Sequence, residues 1–103
     1  MPRVKIASTS QLADGEMMYV DAEGHDVLLS RFDGHFYAID AVCNHQNGPL
    51  ENGELSGRLL TCPIHMAIFD LTTGKVSPET PWAADQTCFP VTVEGDDVFV
   101  NLP

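Results

Sequence analysis

Apolar residues along this chain fall in short runs broken by glycine-centred turns, and a helical period is almost nowhere present. Val27-Leu28-Leu29-Ser30-Arg31-Phe32, then Asp33-Gly34, then His35-Phe36-Tyr37-Ala38-Ile39 predicts a hairpin closed by a two-residue turn. A second hairpin is expected from residues 89–94, turning through Gly95-Asp96 into Asp97-Val98-Phe99-Val100. Pro90 would confine its strand to an edge or a bulge. Ala67-Ile68-Phe69-Asp70-Leu71 and Lys75-Val76 flank Thr72-Thr73-Gly74, a longer hairpin loop with a glycine available for positive φ. Residues 3–7, 16–20 and 57–61 are further strand candidates. The stretch from Ser8 to Gly15 has room for one helical turn, capped by Ser8, Thr9 or Ser10. Short strands with a turn roughly every ten residues predict an all-β fold, an antiparallel sandwich or barrel.

Size and charge narrow the picture. The chain has 103 residues and 11.2 kDa, which fits one domain spanning 1–103. With 44% hydrophobic residues it has the composition of an ordinary globular protein, so disorder is excluded. No apolar run approaches the ~18 residues of a membrane span, and Met1-Pro2-Arg3-Val4-Lys5-Ile6 has no secretory core, so a cytoplasmic location is expected. Five basic against fifteen acidic residues give a formal charge of −10, which argues against nucleic acid and anionic membranes. Such a field suits encounters with positively charged proteins. Glu51, Glu54, Asp96 and Asp97 fit either a solvated face or a docking site for a basic partner. His25 and His35 read as ordinary surface histidines.

Three cysteines are present, Cys43, Cys62 and Cys88, too few and too odd in number for a disulfide framework. Cys88 has no histidine nearby and is expected to pack as a small hydrophobe between strands. The other two each come with an imidazole, in Cys43-Asn44-His45 and Cys62-Pro63-Ile64-His65. Sixteen residues separate the pairs, giving C-x-H-x16-C-x2-H. Two thiolates and two imidazoles restrict the common metals to zinc or iron–sulfur. Turn residues Asn47-Gly48-Pro49 and Pro63 suggest that the pairs sit at the tips of two loops.

Together the two pairs closely resemble the ligand loops of Rieske iron–sulfur proteins. The resemblance extends over residues 15–101, through the Phe36-Tyr37-Ala38-Ile39 run before Cys43 and the Asp70 to Gly74 hairpin after His65. It implies a Rieske-type β-sandwich whose cluster-binding part spans about residues 42–82. It also implies a [2Fe–2S] cluster, with Cys43 and Cys62 on one iron and His45 and His65 on the other. A core with two thiolates is formally neutral where four would make it a dianion, so it accepts an electron more readily.

High-potential members of that family carry an additional cysteine in each loop and Ser and Tyr hydroxyls near the sulfurs. The matching positions here are Gly48, Ile64, Ala67 and Phe69, none of which bonds in that way. The resemblance therefore implies a potential near the low end, roughly −150 mV, and the acidic field acts in the same direction. Pro81 and Trp82 resemble in position the family's third, proline-containing loop, although burial of Trp82 elsewhere is an equal reading. The segment Ser77-Pro78-Glu79-Thr80-Pro81-Trp82 fits a surface crossover or a functional lid equally well. Met66 and Ile64 border a ligand, as core filling or as a dry collar around the cluster.

By this resemblance the protein is an electron carrier rather than an enzyme. No G-x-G-x-x-G element for a flavin or nicotinamide occurs, and no 2-His-1-carboxylate iron site is evident. The implied donor is an NAD(P)H-dependent flavoprotein reductase and the implied acceptor the terminal oxygenase of an aromatic-ring-hydroxylating dioxygenase, with a monomeric carrier between them. Two other classes stand beside this reading. One is a Rieske-like small subunit of a larger oxidoreductase such as nitrite reductase. The other is a structural zinc module, against which the C-x-H spacing and the absence of a finger helix both speak.

Overall fold

Asp33 and Gly34 both adopt positive φ, 53° and 79°, the conformation that a two-residue type I′ turn demands of its central residues. The turn joins β3 (His25–Phe32) to β4 (His35–Asp40), paired in continuous register from Phe32↔His35 to Val27↔Asp40. Glu23 and Gly24, at φ 52° and 90°, close the preceding hairpin between β2 (Met17–Ala22) and β3 in the same way. The computed structural model to which these elements belong describes residues 3–42, 50–63 and 66–102.

Among the described residues the strands form three antiparallel sheets. The central one has the order β2-β3-β4-β8, with β8 (Cys88–Phe89) at its edge. The outer sheet is ordered β1-β10-β9, from β1 (Arg3–Ser8), β10 (Asp97–Asn101) and β9 (Val91–Glu94). The third runs β5-β6-β7, from β5 (Glu54–Ser56), β6 (Leu59–Thr61) and β7 (Ile68–Asp70). The expected all-β, antiparallel class is what forms. Thr9–Gln11 make the expected single helical turn, a 3₁₀ turn with Ser8 at its N-cap position.

The central sheet is covered on both faces, which is why Val27, Leu28, Leu29 and Ser30 are all buried in succession. Val27 and Ala38 face Val100 and Leu102 of the outer layer, while Leu29 packs with Ala7, Leu12 and Val98. On the other face Leu28 and Ile39 pack against Leu50, Leu60, Cys62, Ala67 and Phe69. Each such leucine or isoleucine contributes about 1.5–3 kcal/mol by leaving water. The third sheet is thus seated on the core through the residues that flank its loops.

Two expectations need correction. Residues 57–61 are not one strand: Gly57, at φ 60°, and Arg58 form the turn between β5 and β6. Residues 89–94 are not one strand either, because Phe89 pairs in the central sheet and Val91 in the outer one. Pro90 sits at the switch, where the missing N–H interrupts no ladder, and its carbonyl accepts the Asn101 N–H at 2.9 Å. Both strands that flank it, β8 and β9, are edges of their sheets.

Candidate metal centre

The chain leaves β4 and returns to Leu50 at nearly the same point. The Leu50 N–H donates to the Ala41 carbonyl at 3.0 Å, and the Ala41 N–H donates to the Asp26 carbonyl at 3.0 Å. Asp40 Oδ1 accepts the Val42 N–H at 3.0 Å, starting the turn immediately before Cys43. Cys43, His45 and Gly48 belong to the excursion closed by this stem and lie outside the described residues.

A second stem carries the other pair. Cys62 directly follows β6 with its side chain fully buried, and its N–H donates to the Ala67 carbonyl at 2.7 Å. The tip of the β6–β7 hairpin is therefore residues 62–67, with Pro63 exposed and Met66 in the left-handed region at φ 63°. His65 and Ile64 lie outside the described residues. Met66 is 58% exposed, so it does not fill the core. Leu50 and Cys62 share one buried cluster, which makes the bases of the two loops neighbours in a single core.

Gly53 permits this closeness. A methyl group there would collide with the Thr61 carbonyl and stand 3.1 Å from that of Leu50. A cleft of about 240 Å³ opens beside Cys62, lined also by Asn52, Gly53, Glu54, Thr61, Pro63 and Met66.

The segment 77–82 is more than a surface crossover. The Ser77 N–H donates to the Ile68 carbonyl at 2.7 Å, and Thr80 Oγ1 accepts the Ile68 N–H at 3.1 Å. Thr80 is buried, while Trp82 is half exposed, so the reading that buries Trp82 elsewhere fails. Ala67 and Phe69, the two positions read as lacking a hydroxyl, are fully buried beside Cys62 in the same cluster.

Cys88 departs from expectation. It stands exposed on the edge strand β8 rather than between strands, and the partial cover that it keeps pushes its thiol pKa upward. His25 is exposed as expected, with its ring edge-on to Phe89 at 6.4 Å. Among the described residues Arg3 is paired with Glu94, Lys5 with Asp97, Arg31 with Asp14 and Arg58 with Asp70. Asp97 is thereby engaged within the chain. Tyr19 donates to Asp26 Oδ1 at 2.6 Å, and its hydroxyl also senses Asp21 and Glu51, which follows the first loop directly.

Sequence reasoning missed Gln86. It is buried, and its Nε2 donates to the carbonyls of Asp40 at 2.9 Å and Val42 at 2.7 Å. A lone glutamine in a loop carries no motif, so no signal in the sequence pointed to it.

Of the four proposed ligands, Cys62 is the one within the described residues, and among those residues no cluster of three metal-binding side chains forms. The donor set fits a Rieske cluster by its chemistry: two thiolates and two imidazoles, one of the thiols shut away from water. A model of the Rieske [2Fe-2S] domain matches residues 2–90. The ferredoxin component of the naphthalene 1,2-dioxygenase system of Pseudomonas putida is 30% identical over 96% of this chain and 94% of its own. The ferredoxin of carbazole 1,9a-dioxygenase from Nocardioides aromaticivorans superposes with a TM-score of 0.89 at 27% identity, covering 97% of each chain. A similar likeness (TM-score 0.87, 27% identity, 95% of this chain and 91% of the other) is to a chain in the complex of reduced oxygenase and oxidised ferredoxin in carbazole 1,9a-dioxygenase.

Proposed function

This chain belongs to the Rieske [2Fe–2S] domain family, and from that premise we propose that it is the ferredoxin component of an aromatic-ring-hydroxylating dioxygenase system. It is an electron carrier, not the oxygenase, with one [2Fe–2S] cluster of the Rieske type. One observation carries the reading: the similarity runs along nearly the whole of stand-alone ferredoxins, in sequence and in fold, at 94% and 97% of their lengths.

Cys43 and Cys62 are the thiolate ligands and His45 and His65 the imidazole ligands, within a single domain of residues 1–103 whose cluster-binding part is about 42–82. When bound, the cluster takes up one electron and gives it back. The chain's own residues set the conditions. Burial of Cys62 keeps water from one sulfur, and the Cys62–Ala67 hydrogen bond fixes the tip that bears His65. Ala67 and Phe69 offer no hydroxyl to stabilise added charge, which favours a potential near the low end, roughly −150 mV.

The acceptor is the terminal oxygenase, in line with the oxygenase–ferredoxin complex described above. The donor is an NAD(P)H-dependent flavoprotein reductase, since the sequence has no dinucleotide fingerprint of its own. Among the described residues no helix is long and apolar enough to cross a membrane. The carrier works as a monomer in the cytoplasm, meeting each partner through a small transient interface.

Purified protein tests this reading. It should be red-brown, contain two irons and two acid-labile sulfides per chain, and give a rhombic EPR signal on reduction. Colourless protein with one zinc per chain would falsify it.

A further inference from the structure

Residues 85–87 run between the end of β4, just before the first loop, and the turn that follows β7, and bond to both. Asp85 Oδ1 accepts the Val76 N–H at 2.8 Å, and the Gln86 N–H donates to the Gly74 carbonyl at 2.6 Å, so the turn after β7 is held from this side. The Thr87 carbonyl accepts the Asp40 N–H at 2.9 Å, which holds the end of β4. Gln86 then adds its side chain: Nε2 places one hydrogen on the Asp40 carbonyl and the other on that of Val42, at 2.9 and 2.7 Å. A primary amide has two such hydrogens, and both are spent on the last residues before Cys43. Gln86 is 5% exposed, so water offers no ready replacement. The approach of the two backbones is tight. Gly74 has φ 78°, and a Cβ there would lie 2.5 Å from the Gln86 carbonyl oxygen.

We propose that Gln86 is a positioning residue, holding the start of the Cys43 loop against the turn after β7, the strand that leads away from the Cys62 hairpin, and so setting the electronic environment of the cluster. The inference rests on the ligand reading given above. It follows from where the bonds end. The amide acts on Val42, one residue from a ligand, while its own backbone N–H is tied to Gly74 in the turn that β7 runs into. Loss of the amide hydrogens frees one loop relative to the other without removing a ligand. Partners just outside the ligands commonly change cluster or metal retention about tenfold or more when removed.

The test uses the holoprotein in three variants. Gln86→Leu removes the amide, Gln86→Glu keeps its shape but loses the paired donors, and Val98→Ala opens a cavity in the outer sheet as a stability control. Both Gln86 variants should shift the EPR g-values of the reduced cluster and speed cluster loss to a chelator about tenfold, well below the unfolding temperature. Val98→Ala, destabilised to a similar degree, should keep the native spectrum and the native rate. If Gln86→Leu does not fold, Gln86→Glu carries the comparison alone. A native spectrum and native cluster lifetime in the Gln86 variants would overturn the clamp, whatever their thermal stability. Cys43→Ser separates the two possible failures, because a native spectrum in that variant sinks the ligand reading itself.

Discussion

Thr80 and Ile68 hold each other by two contacts: Thr80 Oγ1 accepts the Ile68 N–H at 3.1 Å and donates to the Ile68 carbonyl at 3.5 Å. Ile68 opens β7 directly after the second loop, so this hydroxyl ties the proline-containing segment to the base of the hairpin that bears Cys62. Thr80 is 7% exposed, which makes the bond one that water cannot restore.

Thr80→Val keeps the volume and removes the oxygen. The Ile68 N–H then lacks its acceptor, at a cost of about 1–3 kcal/mol. For a domain of this size each kcal/mol lowers Tm by about 4–8 °C. Thr80→Ser, which retains the acceptor, should unfold much closer to the native temperature. Equal losses in the two variants, followed by calorimetry, would show that the methyl group and not the hydroxyl matters.

Gly53→Ala should cost more than its single carbon suggests. The added methyl meets the Thr61 carbonyl and approaches the Leu50 carbonyl to 3.1 Å, both backbone atoms that cannot rotate away. Relief requires β6 to move from the 3₁₀ turn at Leu50–Asn52, carrying Cys62 with it. Overpacking of this kind costs about 1–3 kcal/mol. Thermal unfolding measures the cost, and iron content per purified chain measures the displacement; both should fall together.

Legibility in the sequence followed how local each cause was. Asp33-Gly34 announced the β3–β4 hairpin because only a few residue types tolerate two successive positive φ values. Glu54-Leu55-Ser56 escaped notice because three residues give too little alternation, so its turn at Gly57-Arg58 was read as the start of a strand. The switch of sheets at Pro90 is a tertiary event within what looks like one continuous strand. Cys88 was expected to be buried, yet β8 forms the edge of its sheet and leaves it exposed. The candidate ligands come from the paired Cys/His spacing and the family resemblance that it carries, whereas Gln86 bonds to residues 46 and 44 positions upstream and no local pattern encodes that.

Tyr19 offers a titration that reads the surface beside the first loop. Its hydrogen bond to Asp26 is the main cause that pushes its pKa from 10.0 up to about 12, with smaller contributions from desolvation and from the charges of Asp26, Asp21 and Glu51. A raised folded-state pKa means that the protonated phenol is the favoured form. Its contribution to stability is complete below pH 10 and is lost as pH rises through about 12. Absorbance at the phenolate band should show Tyr19 titrating late, and Asp26→Asn should bring it back toward the ordinary value. A native-like late titration in Asp26→Asn would remove that hydrogen bond as the cause.

Ala67→Ser and Phe69→Tyr test what sets the potential. Both positions are fully buried in the cluster of side chains that includes Cys62, and both lack a hydroxyl. A hydroxyl that donates to a cluster sulfur stabilises the reduced form more than the oxidised one, because reduction places negative charge on the acceptor. One hydrogen bond to a charged group is worth about 1.5 kcal/mol, equivalent to ~60 mV for one electron. Ala67→Ser adds a single oxygen and should raise the midpoint by an amount of that order, with Phe69→Tyr adding to it where the core accommodates the phenol. Protein-film voltammetry reads the shift directly. A midpoint that stays put or falls in both variants would mean that the missing donors at these two positions do not set the potential.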